Sequence, residues 1–85
     1  MNPKENSVRV PLTQLAVGKS ARVAEILDGH GLHGRLRKMG VREGETLKMI
    51  HRPLRKGPAV ISISRVQIAI GFGMASRILV EPTGH

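Results

Sequence analysis

The stretch LHGRLRKMGVREG, residues 32–44, decides how this chain folds. Leu32, Leu36 and Met39 recur at the spacing i, i+4, i+7, which places them on one stripe of a short helix. Gly40 follows where a helix often ends in a left-handed residue, a backbone conformation that glycine adopts without steric penalty. The stretch therefore predicts a short helix that packs its apolar stripe on a core and ends at Gly40.

The residues on either side of this glycine indicate the same ending. Arg37 and Lys38 lie in the last turn, where the helix dipole favours positive charge. Val41 can fold back on Leu36, which is the apolar contact of a Schellman motif. We therefore expect the chain to leave the helix abruptly and to enter a strand after Gly44.

Length and composition restrict the fold class. Eighty-five residues allow one domain, and a single Phe with no Trp, Tyr or Cys leaves the core to aliphatic side chains. Without cysteine, neither a disulfide framework nor a thiolate metal site can form. We expect a flexible N-terminal tail over residues 1–10, the domain over 11–81 and a short C-terminal tail over 82–85.

Short apolar runs on both sides of the helix are typical of strands. The sequence predicts a single helical or 3₁₀ turn at 11–15 and five strands, at 20–27, 46–50, 59–64, 66–70 and 77–81. So small a sheet would have to close on itself to hide its edges. The order of one strand, a helix and a four-strand meander favours an SH3-like over an OB-like barrel. The predicted fold class is therefore all-β with a short helix, a small SH3-like β-barrel.

The chain is strongly basic, with a net charge of +8 from 14 Lys and Arg against 6 Asp and Glu. Such a balance predicts an acidic partner, which could be nucleic acid, anionic lipid or an acidic protein surface. The N-terminal residues are polar, and no run approaches the roughly 18 apolar residues of a membrane span. We therefore expect a soluble cytoplasmic protein without a signal peptide.

The order of these segments resembles the FeoA family of ferrous iron transport accessory proteins. The resemblance extends over about residues 11–81 and rests on the order and spacing of several motifs rather than on a single one. The matching motifs are PLTQL at 11–15 with Gly18, RLRKMGVREG at 35–44, Pro53, Gly57 and Pro58, QIAI at 67–70, Ala75, and ILV at 78–80.

The resemblance implies an SH3-like domain in the bacterial cytosol. Such a domain would dock to the cytosolic portion of FeoB, the membrane-embedded GTP-dependent ferrous iron transporter, and modulate it; it would be peripheral to the membrane through this partner only. Related domains occur at the C-terminus of metal-dependent repressors, but residues 1–10 predict no DNA-binding helix pair ahead of the barrel, so we expect the free-standing transporter partner. Two features depart from the family pattern: Gly71-Phe72-Gly73 replaces a charged helical turn, which predicts a shortened helix, and the net charge is high.

Basic residues in two segments are the candidate partner-binding residues. They are Arg35, Arg37 and Lys38 on the helix, and Arg52, Arg55 and Lys56 with Leu54 on the connection before the third strand. A positive surface would orient an acidic partner, and an exposed leucine would anchor the contact. Two alternatives stay open: a merely solvated basic exterior, and a Leu54 that caps the end of the barrel.

Two histidines are the candidate metal ligands. His30 and His33 are three residues apart and close to Asp28, so an early helix start would place both imidazoles on one side, where they could bind Fe²⁺ or Zn²⁺. The alternative is a polar turn with solvated histidines, because a competent site needs about four ligands. No cofactor is expected to be required.

The remaining function classes are an enzyme and a nucleic-acid-binding module. No Ser/His/Asp or Cys/His constellation is present, so we do not expect an enzyme. A basic SH3-like module that binds nucleic acid is the alternative function. Single-strand binders stack bases on exposed aromatic rings, and Phe72 is the one aromatic residue here, which weighs against single-strand binding but not against phosphate contacts to a duplex. With the transporter as the expected partner, no nucleic acid is expected. Self-association through an exposed sheet edge or Leu54 is also compatible with the sequence.

Overall fold

The computed structural model describes residues 8–27, 31–52 and 54–83. The elements follow one another as β1 (Val10–Pro11), a 3₁₀ turn (Leu12–Gln14), β2 (Ser20–Ile26), α1 (Leu32–Lys38), β3 (Thr46–His51), β4 (Ala59–Ile63), β5 (Val66–Ile70), α2 (Phe72–Ala75) and β6 (Ile78–Thr83). The helix α1 and five of the strands lie where the sequence predicts them. The helix α2 is a single turn, as expected between Gly71 and Ser76.

The six strands form one antiparallel sheet in the order β1-β6-β2-β3-β4-β5. A small antiparallel sheet with a short helix after its first long strand confirms the predicted fold class. Two details differ from the expectation. β1 is an additional strand, which pairs Val10 with Val80, and the sheet of the described residues is open, with β1 and β5 at its ends. β1 has two residues, one of them a proline without an N–H, so it cannot close the sheet on β5.

The outer limits of the sheet lie close to the predicted domain limits. β1 begins at Val10 and β6 ends at Thr83, just beyond the predicted limits of 11 and 81. Residues 1–7 and 84–85 lie outside the described residues, and the two tails stay predictions.

The core consists of aliphatic side chains. The buried residues of the described chain are Leu12, Leu15, Ala21, Val23, Ile26, Leu32, Leu36, Val41, Leu47, Met49, Ala59, Ile61, Ile63, Ile70, Ala75, Ile78 and Val80. Within the described ranges no polar or charged residue is buried among them. Met39 packs against this cluster from a half-buried position. The apolar stripe predicted for α1 therefore does cover the core.

The end of α1 is a Schellman motif, as predicted. The backbone N–H of Val41 donates to the carbonyl oxygen of Leu36 over 2.9 Å, and the N–H of Gly40 donates to that of Arg37 over 3.0 Å. Gly40 has a φ of +91°, and Leu36 and Val41 are both buried. The chain therefore leaves the helix with its backbone groups paired and with Val41 in the core.

The segment after this motif is tied to β2. Val23 donates its N–H to the carbonyl oxygen of Glu45 and accepts the N–H of Gly44, both over 2.8 Å. The Oε2 atom of Glu43 accepts the N–H of Ile26 over 3.1 Å. These bonds hold α1 beside the bulge at which β2 changes register against β6.

Four charged side chains form a network on the outside of β2 and β6. Glu81 accepts from Nη2 of Arg22 over 2.8 Å and from Nε of Arg9 over 3.2 Å, and Arg9 also reaches Glu25 over 3.2 Å. The hydrogen bonds from Arg22 and Arg9 hold the pKa of Glu81 below its usual value of 4.5. The network therefore links the segment before β1 to the two strands beside it.

Replacing either of two glycines in the α1 segment with alanine should change the free energy of unfolding, in opposite directions for the two positions. Gly40→Ala places alanine at a φ of +91° and should lower the free energy of unfolding by about 1–2 kcal/mol. Gly34→Ala, inside α1 with open space around it, should raise it by about 0.5–1 kcal/mol, because alanine is the better helix former. Urea denaturation of both variants beside the parent measures the changes. Two changes of the same sign would contradict a helix that ends at Gly40.

Glu81 should make stability depend on pH in the acid range. Because its folded-state pKa lies below the unfolded-state value, its stabilising contribution is complete above about pH 4.5 and is lost as the pH falls through the folded-state pKa. Glu81→Gln should therefore show its largest deficit in unfolding free energy near neutral pH and none in acid. Denaturation curves at a series of pH values measure the deficit, and a deficit that stays constant down to about pH 2 would contradict the assignment.

Candidate functional site

The candidate partner-binding residues form two separate groups. The helix group is Arg35, Arg37 and Lys38 on α1, and the basic loop is Arg52, Leu54, Arg55 and Lys56 after β3; all seven are exposed. α1 precedes the start of β3, and the basic loop follows its end. A strand of six residues spans about 20 Å. The two groups therefore lie at opposite ends of β3 and do not form one continuous positive surface.

A tight turn forms the tip of the basic loop. The N–H of Gly57 donates to the carbonyl oxygen of Leu54 over 3.2 Å, which closes a four-residue turn. Arg55 occupies the second position of this turn with a φ of +60°, a left-handed conformation that costs a non-glycine residue on the order of 1–2 kcal/mol. Backbone strain of this kind clusters at binding sites and switch regions. Ser64 and Arg65, in the turn between β4 and β5, share this conformation, so the exposed Leu54 beside the cations makes this turn the candidate docking element.

Arg52 joins the start of the basic loop to the 3₁₀ turn. Its Nε atom donates to the carbonyl oxygen of Thr13 over 3.3 Å. No local pattern predicts this contact, because the two residues are 39 positions apart. Arg52 therefore positions the loop, while the cations at the tip face solvent.

Leu54 projects from the tip of the basic loop. It is 79% exposed, the largest value among the exposed large apolar residues of the described chain. The alternative in which Leu54 caps the end of the barrel is therefore wrong. Its role as an anchor for a partner stays a prediction.

An open concavity lies beside α1, next to the helix group. It has a volume of about 380 Å³ and is lined by Ile26, His33, Arg37, Val41, Arg42 and Glu43. The Nε2 atom of His33 lies 3.6 Å from Oε2 of Glu43, the same oxygen that accepts the N–H of Ile26. Sequence reasoning missed Glu43, because its partner Ile26 is 17 positions away. Glu43 acts here as a link between α1 and β2.

The described residues offer no complete metal site. They contain no group of three or more His, Asp or Glu side chains that could hold a metal ion. His33 has Glu43 as its carboxylate neighbour. His30 and Asp28 lie outside the described residues, so the pairing of His30 with His33 stays a prediction.

The described surface offers charge and exposed apolar side chains. Phe72 is half-buried in α2, so its ring is only partly available for the stacking that single-strand binders use. Among the helices of the described ranges, none has both the length and the apolar character that crossing a bilayer requires.

Comparisons with known proteins point to one family over nearly the whole described chain. The family model of the FeoA domain matches residues 10–82. The protein named "Putative Fe(2+) transport protein A" of Methanocaldococcus jannaschii is 39% identical over 71 residues, which are 84% of each chain. A crystal structure of the iron uptake regulatory protein FeoA superposes with a TM-score of 0.81 at 34% identity, over 89% of this chain and 100% of that one.

A manganese-dependent transcriptional repressor contains the same fold. It superposes with a TM-score of 0.82 over 91% of this chain and 43% of the repressor chain, at 19% identity. A likeness at this identity concerns the fold alone, whereas the family model covers almost every described residue. The chain therefore belongs to the FeoA domain family.

Proposed function

We propose that this chain is a non-enzymatic, cytoplasmic accessory protein of ferrous iron transport, which docks to the cytosolic domain of the transporter FeoB and modulates it. Membership of the FeoA domain family supports a role in this transport process. The observation that carries the docking is the exposed Leu54 between the cations of the basic loop. The protein reaches the membrane through this partner only, and docking requires no cofactor.

The basic loop combines the features of a docking element. A partner that covers Leu54 removes apolar surface from water, which is favourable in proportion to the area covered. Arg55 and Lys56 beside it attract an acidic surface and set the orientation of the contact. Because the turn is closed by its own hydrogen bond and Arg52 is held by Thr13, the loop loses little conformational entropy on binding.

The helix group has a different part in this proposal. Arg35, Arg37 and Lys38 are exposed at the opposite end of β3 from the basic loop. Charges that do not touch a partner still attract it over about 8 Å at physiological salt. The helix group therefore raises the rate of encounter, whereas the basic loop makes the contact.

Substitutions at Leu54 and Arg55 should weaken docking to FeoB without lowering the free energy of unfolding. Leu54→Ser removes the apolar anchor and should weaken binding to the isolated cytosolic domain of FeoB by about tenfold or more. Arg55→Gly removes a cation at a φ of +60°, so it should weaken binding while the free energy of unfolding stays level or rises by about 1 kcal/mol. Titration at about 150 mM salt measures binding, and urea denaturation measures stability.

Arg65→Gly is the matched control. Arg65 has a φ of +70° and is exposed in the turn between β4 and β5, at the end of β4 away from the basic loop. The free energy of unfolding of Arg65→Gly should change as that of Arg55→Gly does. Its affinity for FeoB should equal that of the parent. Unchanged binding of both loop variants would contradict docking through the basic loop. Retention on duplex DNA without binding to FeoB would favour the nucleic-acid-binding alternative.

A further inference from the structure

β5 forms one end of the sheet and has a free edge within the described residues. The two-residue turn 64–65 joins β4 to β5, and Ile63 pairs with Val66 across it. In such a hairpin the residues next to the turn exchange hydrogen bonds, and every second residue points its backbone groups away from the partner strand. Gln67 and Ala69 therefore direct their N–H and C=O groups to the free edge.

Within the described residues this edge lacks charge, proline and a bulge, three of the features by which sheets prevent further pairing. Residues 66–70 contain no charge and no proline, and their pairing with β4 keeps one register throughout. The other end of the sheet is protected, because β1 has two residues and one of them is Pro11. A strand can therefore be added to β5 but not to β1.

We propose that a second copy of this chain adds its own β5 to this edge, which joins the two sheets antiparallel about a twofold axis at Ile68. Gln67 of one copy exchanges backbone hydrogen bonds with Ala69 of the other, and the reverse pair forms across the axis. Ile68 lies opposite itself in the closer, non-hydrogen-bonded pair. Both copies use the same residues, as a twofold interface requires.

The apolar side chains of β5 meet in this register. Val66 of one copy lies opposite Ile70 of the other, on the same face of the sheet as Ile68. Val66 is 59% exposed, and Val66 and Ile68 line an open concavity of about 240 Å³ with Met39 at the end of α1. The added strand covers the exposed part of this apolar face.

Charge favours a second copy over an acidic partner at this edge. Arg42 and Glu45, which line the concavity beside Val66 and Ile68, pair with each other over 3.4 Å, and residues 66–70 carry no charge. An acidic strand therefore gains little charge attraction there, whereas two neutral strands meet without like charges opposite each other. In the same register Arg65 of one copy falls opposite Gly71 of the other. The net charge of +8 on each copy repels at longer range, and salt screens that repulsion. Self-association should therefore strengthen as salt is raised, whereas a contact through the basic loop should weaken.

The interface is small. Five paired residues on each copy bury less than the roughly 1,200 Å² of a stable interface. We therefore expect dimers at protein concentrations on the order of 100 µM and above. Sedimentation equilibrium at low and at high salt measures the dissociation constant and its salt dependence.

A charge exchange at Gln67 and Ala69 tests both the edge and the register. In Gln67→Lys/Ala69→Lys, like charges lie opposite each other twice, and the dissociation constant should rise about tenfold. In Gln67→Lys/Ala69→Glu, each lysine lies opposite a glutamate, and the dissociation constant should equal or fall below that of the parent. Both positions are exposed, so circular dichroism should show both variants folded, and their binding to FeoB should be that of the parent because the basic loop is intact.

A mixing experiment gives an independent result. Gln67→Glu/Ala69→Glu should self-associate poorly, but should form a mixed dimer with Gln67→Lys/Ala69→Lys. The proposal would be overturned by a parent that stays monomeric at about 2 mM, well above the expected range, or by a double-lysine variant that dimerises as the parent does. A dimer that weakens as salt rises, or a lysine–glutamate variant no better than the double-lysine one, would also overturn it.

Discussion

The hydrogen bond from the N–H of Val41 to the carbonyl oxygen of Leu36 is the contact on which the rest of the structure depends. It ends α1 and turns Val41 into the core, and the segment that follows pairs with Val23 of β2. A core without aromatic side chains has no large ring with which to fill gaps. α1 must therefore lie close to the sheet for Leu32 and Leu36 to complete the packing, because residual cavities are costly.

This close packing leaves the strained backbone of the described chain to the turns at the ends of the strands. The non-glycine residues with positive φ in the described chain are Arg55, Ser64 and Arg65, and they lie in the turns at the two ends of β4. β4 itself is buried along alternate positions and paired on both sides. The turn at 64–65 cannot relax without disturbing the pair of Ile63 with Val66 directly beside it.

The two surfaces proposed for contacts use different interactions. The basic loop offers cations around one exposed leucine, so its contacts are oriented by charge and weakened by salt. The edge of β5 is neutral over residues 66–70 and offers backbone groups and apolar side chains. Long-range charge attraction dominates at the basic loop, and short-range strand pairing dominates at the edge of β5. Raising the ionic strength therefore weakens contacts at the basic loop relative to those at the edge of β5. One small domain can in this way favour different contacts under different conditions.

The sequence by itself determined the features that arise between near neighbours: the apolar stripe of α1, its end at Gly40, the aliphatic strands and the positive charge. Helix periodicity and the stereochemistry of glycine act over a few residues, so they can be read locally. Only the tertiary structure decided that Leu54 is exposed, that Arg52 meets Thr13, that the two basic groups lie apart, and that the sheet stays open. These features depend on contacts between residues far apart in the chain, which are set by the packing of the whole core rather than by any one segment.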